Sequence, residues 1–145
     1  LNKVTVSQDD RGCLIVKAPK VTTDPIITND LVNLLSYKKF HWLGRIDNVV
    51  NSGGIKLFPE SIEKKLAHQI DVNFLVAGIA DDQLGERLIL IMECDSFDAS
   101  KLNFEVLEKY EVPKELFCVP KFARTPNGKI KRSDIITGLK SDQKI

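Results

Sequence analysis

Apolar and polar residues alternate in short runs along the first part of the chain. "KVTVS" has the period of a half-buried strand, and Gly12 marks a turn. "CLIVKAP" is a continuous apolar run stopped by Pro19, as in a strand covered on both faces. "VTTDPIITNDLVNLL" is turn-rich and then apolar, and in "KKFHWLGRID" the spacing puts Phe40 and Trp42 on one face of a strand until the alternation breaks at Gly44. "NVVNSGGIKLFPESIEKKLAHQI" reads as a strand, a Gly-Gly turn, a second short strand and a helix. Pro59 suits the first turn of that helix, Glu60 and Glu63 complement its positive end, and Ile62, Leu66 and Ile70 form one apolar stripe.

"VNFLVAGIA" and "RLILIMEC" are two strands joined by the turn "DDQLGE". "ASKLNFEVLEKY" is expected to be a helix, with Leu102, Val106 and Lys109 on one side, Phe104 and Leu107 near them, and Pro113 ending it. "ELFCVPKF" is a further strand, and Ser133 is placed to N-cap a last helix, "DIITGLK". No repeat or low-complexity segment interrupts the pattern. Helices and strands mix without strict βαβ alternation, which predicts an α+β fold.

Composition narrows the class. With 43% hydrophobic and 28% charged residues, the 145-residue chain reads as soluble and globular. A formal net charge of +1 provides no overall field for nucleic acid or an anionic membrane. No apolar run approaches the roughly 20 residues that span a bilayer. "LNKVTVSQDD" lacks the apolar centre of a signal peptide and also an initiator Met, so the chain is expected to begin inside a longer protein. Cys13, Cys94 and Cys118 are odd in number, form no CxxC and sit beside apolar residues, the pattern of buried free thiols in a reducing cytosol. His41 and His68 are isolated and define no metal site. The sequence carries no signal of oligomeric state.

"TPNGKIKR", Thr125 to Arg132, puts an exposed lysine on a Gly-containing turn flanked by positive charge. Taken by itself it is a solvated turn. Two earlier segments, "IITND" and "WLGRIDNVVNSGGIKLFPESIE", change that reading together with the full closing stretch "EVPKELFCVPKFARTPNGKIKR". In this order they resemble the carboxyl-terminal part of the adenylate-forming superfamily of acyl-CoA synthetases, luciferases and peptide-synthetase adenylation domains. The first resembles a Tyr-x-Thr-Gly-Asp stretch, with Asn29 in the glycine position. The second resembles a Gly-Arg-x-Asp motif, glycine loop and acidic helix start. The third resembles a closing Thr-x-x-Gly-Lys-x-x-Arg motif. Within the superfamily, "NSGGIKL" is most similar to the o-succinylbenzoate–CoA ligases of menaquinone biosynthesis, with other fatty or aryl acid ligases as the alternative.

The resemblance implies a two-part organisation. Residues 1–46 would be the β-rich end of a large AMP-binding domain. Residues 47–145 would be a small mobile catalytic domain, built of a short β-hairpin plus a small mixed sheet flanked by helices. Asp30 would accept hydrogen bonds from the ribose hydroxyls of ATP, and Arg45 would reach the nucleotide as a permanently charged donor. Asp47 matches the hinge. Gly53, Gly54 and Lys56 would form the loop that meets the pantetheine arm of coenzyme A, the glycines permitting close backbone approach. Lys129 would stabilise charge developing at the α-phosphate as the substrate carboxylate attacks. ATP, CoA and a small carboxylic acid are the implied substrates, the upstream domain of the same protein is the implied partner, and Mg²⁺ is implied with ligands outside this chain. The phosphate loop and acid pocket of the family are absent from these residues, so these 145 residues by themselves are expected to be inactive. The rival reading, from another class, is a non-catalytic module that uses the basic segment 124–132 to contact nucleic acid or an acidic partner. The interleaved aromatics expected of a nucleic-acid reader are missing there.

Overall fold

A computed structural model describes residues 3–145, which divide into a unit ending at Val49 and a unit running Val50–Ile145. The first unit is a four-stranded antiparallel meander of β1 (Thr5–Gln8), β2 (Cys13–Lys17), β3 (Ile26–Ser36) and β4 (Lys39–Arg45), in that spatial order. Its small interior holds Cys13, Leu14, Leu31 and Val32. Phe40 and Trp42, two residues apart on β4, are both partly solvent-exposed, as are Ile26 and Ile27 on β3. One 3₁₀ turn, Ile46–Asn48, follows β4 and carries Asp47.

The second unit is an α+β sandwich around one five-stranded sheet. Its strands are β5 (Val50–Ser52), β6 (Ile55–Leu57), β7 (Phe74–Asp81), β8 (Gly85–Glu93) and β9 (Glu115–Val119), and its helices are α1 (Pro59–Leu66) and α2 (Arg132–Thr137). β8 is the central strand. It pairs with β7 antiparallel along its whole length, with β5 through Ser52↔Gly85, and with β9 in parallel from Ile89 to Glu93. The pleat sends alternate residues of β8 to opposite faces. Leu88, Leu90 and Met92 meet Ile62 and Leu66 of α1, whereas Ile89 and Ile91 meet Phe117, Phe122 and Ile135 on the α2 side. Both faces are covered, which explains why "LILIM", Leu88 to Met92, is apolar throughout rather than alternating.

Three local expectations are corrected. The segment "ASKLNFEVLEKY" is not a helix. It contains only 3₁₀ turns at Ala99–Lys101 and Lys109–Glu111. Its polar side chains bind nearby backbone instead: Asp98 Oδ1 accepts from Ser100 N–H at 3.1 Å, and Asn103 Oδ1 accepts from Glu105 N–H at 2.8 Å. Ser133 is not the N-cap of the last helix. That helix starts at Arg132, after Lys131, whose side chain makes no capping bond, and Gly138 is its C-cap. Glu63 does not complement the start of α1. Its carboxylate is turned to β7, where Oε1 accepts from Val76 N–H at 2.9 Å.

The three cysteines are free thiols. Cys13 and Cys118 are buried, while Cys94 is only partly so and lies 3.2 Å from Cys118, Sγ to Sγ. Burial, then the neighbouring Cys118 thiol, pushes the Cys94 thiol up to about 12. Among the described residues, no helix is long and apolar enough to cross a membrane.

Candidate functional site

In the first unit, Asp30 and Arg45 are brought together as directly opposed residues of β3 and β4. Arg45 Nη1 lies 3.4 Å from Asp30 Oδ1, and Trp42 Nε1 donates to the same oxygen at 3.3 Å. The Asp30 side chain is 29% exposed and that of Arg45 48%. Neither is consumed by burial, so a carboxylate acceptor and a guanidinium donor stand side by side within reach of solvent. Asn29 and Asp30 belong to β3 rather than to a turn, and Asp30 N–H donates to Thr28 Oγ1 at 3.1 Å. Asp47 is exposed, two residues before the end of this unit.

In the second unit, Gly53 and Gly54 form the tip of the β5–β6 hairpin with φ of +58° and +82°. These left-handed angles are accessible to glycine at little cost. Gly53 N–H donates to Leu84 O at 2.8 Å, which fastens the tip to the start of β8. Lys56 is exposed on β6.

The Lys129 turn lies elsewhere on the same unit. Its legs are joined by the bridge Arg124↔Ile130 and by Lys131 N–H to Ala123 O at 2.8 Å. Thr125 N–H donates to Lys129 O at 2.8 Å, and Gly128 N–H to Thr125 O at 2.9 Å. Thr125 Oγ1 accepts from Lys129 N–H at 3.0 Å and donates to Asn127 Oδ1 at 2.7 Å. Gly128 takes φ +90° at the tip. Lys129 is exposed and forms no ion pair among the described residues.

Arg124, Lys131 and Arg132 are the positive charges that flank the turn. The structure makes Arg124 and Arg132 structural. Arg124 grips Glu93 with two bonds, Nη1 to Oε2 and Nη2 to Oε1, each 2.6 Å. Phe122 N–H adds a third to Oε2 at 2.6 Å and Asn73 Nδ2 a fourth to Oε1 at 2.9 Å. The guanidinium, followed by the Asn73 and Phe122 donors and opposed by burial, holds the Glu93 carboxyl down at about 2. Arg132 Nη1 donates to Glu63 Oε1 at 2.7 Å and to Val76 O at 2.6 Å. Lys131 pairs with Asp134 at 2.6 Å. One sequence signal pointed toward Glu93: a lone carboxylate closing the apolar run "LILIME".

The two loops mark opposite ends of the central strand. The glycine hairpin is fastened at Leu84 and Gly85, the Lys129 turn at Glu93. Gly85 and Glu93 are the first and last of the nine residues of β8, roughly 26 Å apart at about 3.3 Å per residue. A groove of ≈ 420 Å³ is lined by Ile79, Phe117, Ile136 and Leu139 with Arg87 and Glu115, and none of the expected site residues lines it. Among the described residues, no cluster of three or more His, Cys, Asp or Glu is placed to hold a metal ion.

No protein-family model matches the chain. It is 33% identical over 99 residues to a medium/long-chain-fatty-acid–CoA/3-oxocholest-4-en-26-oate–CoA ligase of Mycobacterium tuberculosis, an alignment covering 60% of this chain and 17% of the ligase. It superposes on an acyl-CoA synthetase (AMP-forming)/AMP-acid ligase II-like protein from Dyadobacter fermentans with TM-score 0.62 and 31% identity, covering 97% of this chain and 43% of that one. The o-succinylbenzoate CoA synthetase of Bacillus subtilis, solved with its acyl-adenylate intermediate, gives TM-score 0.74 at 20% identity over 95% of this chain and 34% of that one, a likeness of fold. The chain spans between 3% and 19% of the length of the curated relatives it matches. It thus shares the fold of part of the AMP-forming acyl-CoA synthetases, and its relatives by sequence include CoA ligases.

Proposed function

We propose that this chain is the carboxyl-terminal part of an AMP-forming acid–CoA ligase, and that it supplies different loops to the two half-reactions. In the first, a carboxylate attacks the α-phosphate of ATP, giving acyl-AMP and pyrophosphate. Lys129 donates to the oxygens on which charge develops, at a position where two anions must meet. Asp30 and Arg45 hold the ribose and neighbouring oxygens of the nucleotide. In the second, the thiol of CoA displaces AMP, with the Gly53–Gly54 tip admitting the pantetheine arm and Lys56 available to its phosphates. Asp47 is the hinge between the two arrangements.

The observation that carries this reading is the placement of the two loops at opposite ends of β8. Loops that far apart on one rigid sheet do not enter one small site together. A body that turns about a hinge presents each in its own step. The basic-module alternative is weakened by the same geometry. Of the cations in segment 124–132, Arg124, Lys131 and Arg132 are tied to Glu93, Asp134 and Glu63, which leaves Lys129 as the unpaired charge rather than a basic strip.

For the acid, we propose o-succinylbenzoate on the wording "NSGGIKL". The fatty-acid–CoA ligase relative favours a fatty acid as the second reading. ATP–pyrophosphate exchange by the full-length protein, run with both acids, separates them.

The test of mechanism is Lys129→Ala in that full-length protein. Adenylation is expected to fall by roughly 10²–10³-fold, the scale for losing one preorganised donor. Thioester formation from supplied acyl-AMP and CoA is expected to change far less. Adenylation near the unmutated rate would return Lys129 to being a solvated turn residue.

A further inference from the structure

We infer that the Lys129 turn is aimed by two carboxylate–guanidinium clamps, Glu93–Arg124 at its incoming leg and Glu63–Arg132 at its outgoing leg, and that these four are positioning residues for the lysine. The catalytic consequence rests on the reading of Lys129 proposed above; the mechanical part does not.

The turn itself is held by few bonds, all local to its two legs. The bonds among Thr125, Asn127, Gly128 and Lys129 shape the tip but tie it to nothing outside residues 123–131. Its direction therefore depends on what grips the legs. Arg124 immediately precedes Thr125, and its bidentate pairing fixes the plane of the guanidinium as well as its place. Both oxygens of Glu93 are fully engaged, because Asn73 and Phe122 take the remaining positions. Arg132 stands three residues beyond Lys129. It bonds Glu63 and Val76 O together, while Glu63 also receives Val76 N–H.

The anchors belong to different elements. Glu93 ends β8, Glu63 is on α1 and Val76 is on β7. A tilt of the turn about either leg must therefore break the grip on the other. The pairs are also well shielded, with side-chain exposures of 15% for Glu93 and 28% for Arg124, and 20% for Glu63 and 23% for Arg132. Removing one carboxylate strands a partly buried cation, which presses the leg to move rather than to stay.

Glu93→Gln in the full-length protein tests this, with Glu63→Gln as the second variant should the first fail to fold. Hydrogen–deuterium exchange reads the mechanics. The amides of Lys129 and Lys131 are expected to exchange about tenfold faster or more, while β7–β8 amides such as that of Ile89 change less than about threefold. Half-reaction kinetics read the consequence. Adenylation kcat is expected to drop about 10- to 100-fold through misplacement, with KM for ATP moving less than about threefold. Thioester formation from supplied acyl-AMP is expected to hold. Unchanged exchange in the turn, or acceleration of every amide of the unit in step, would overturn the clamps whatever the activity. Faster turn exchange with unchanged adenylation would overturn their place in catalysis. Lys129→Ala run alongside separates that outcome from failure of the lysine's own assignment, since the exchange result does not depend on it.

Discussion

Glu93 shows how one side chain can carry a pH dependence of the fold. Its carboxyl falls from the usual glutamate value of 4.5 to about 2, chiefly through the bonds from Arg124 and then those from Asn73 and Phe122. A folded-state value below the unfolded one means that the unfolded chain takes up the proton first as pH drops. The stabilisation is complete above about pH 5 and is lost progressively as pH falls from 4.5 through about 2. Glu93→Gln resembles the protonated state at every pH. The difference in Tm between the unmutated protein and Glu93→Gln is therefore expected to be constant from neutrality to about pH 5 and to close toward pH 2. Thermal unfolding of both proteins across that range checks it. A difference that stayed constant down to pH 2 would show that the charge of Glu93 is not what the clamp uses.

At the scale of elements, β7 passes close to Val50 at Gly78. A Cβ built on Gly78 would lie 2.8 and 2.9 Å from the two methyl carbons of Val50, which is 1% exposed and has nowhere to move. Gly78→Ala is expected to cost about 1–3 kcal/mol by overpacking. Adding Val50→Ala removes the clash, so the double variant should be less destabilised than the two single changes summed. Denaturant unfolding of the four proteins measures this, and strict additivity would refute the contact. This steric demand was invisible in the sequence, where Gly78 sits in "LVAGIAD" without a turn signal. The strands were legible because burial on both faces of β8 leaves an uninterrupted apolar run, and α1 was legible from Pro59 and the Ile62–Leu66 spacing. The segment around Asn103 was misread because apolar residues at helical spacing pack just as well from an irregular chain. Leu102, Phe104 and Leu107 all reach the α1-side core without a helix. In the site, the exposed lysine and the glycine tip were readable as local turn chemistry. The clamps were not, because Glu63 and Arg132 lie 69 residues apart and Glu93 and Arg124 31 apart, and nothing local encodes such partners.

At the scale of the whole molecule, the proposed alternation needs a place where the chain can pivot at little cost to either unit. The Ile46–Asn48 turn is the place we propose. Asp47 is exposed, the unit boundary falls at Val49, and the backbone bond of the turn runs from Val49 N–H to Ile46 O without using Asp47. Proline at 47 would leave that bond intact while locking φ near −65° and biasing residue 46 toward extended backbone. In the full-length protein, Asp47→Pro is expected to favour one arrangement of the two units over the other and so to affect the half-reactions unequally. If it traps the arrangement that presents Lys129, ATP–pyrophosphate exchange persists while thioester formation from supplied acyl-AMP falls. If it traps the other, the pattern reverses. Circular dichroism and Tm should be close to those of the unmutated protein, because the substitution falls on an exposed residue of a short turn. Unequal loss is what a pivot requires, since a change that only impaired folding or nucleotide binding would not choose between the two steps. Equal losses in both half-reactions, with the fold intact, would remove the hinge from Asp47. Two loops at opposite ends of β8 would then need some other means of reaching one site.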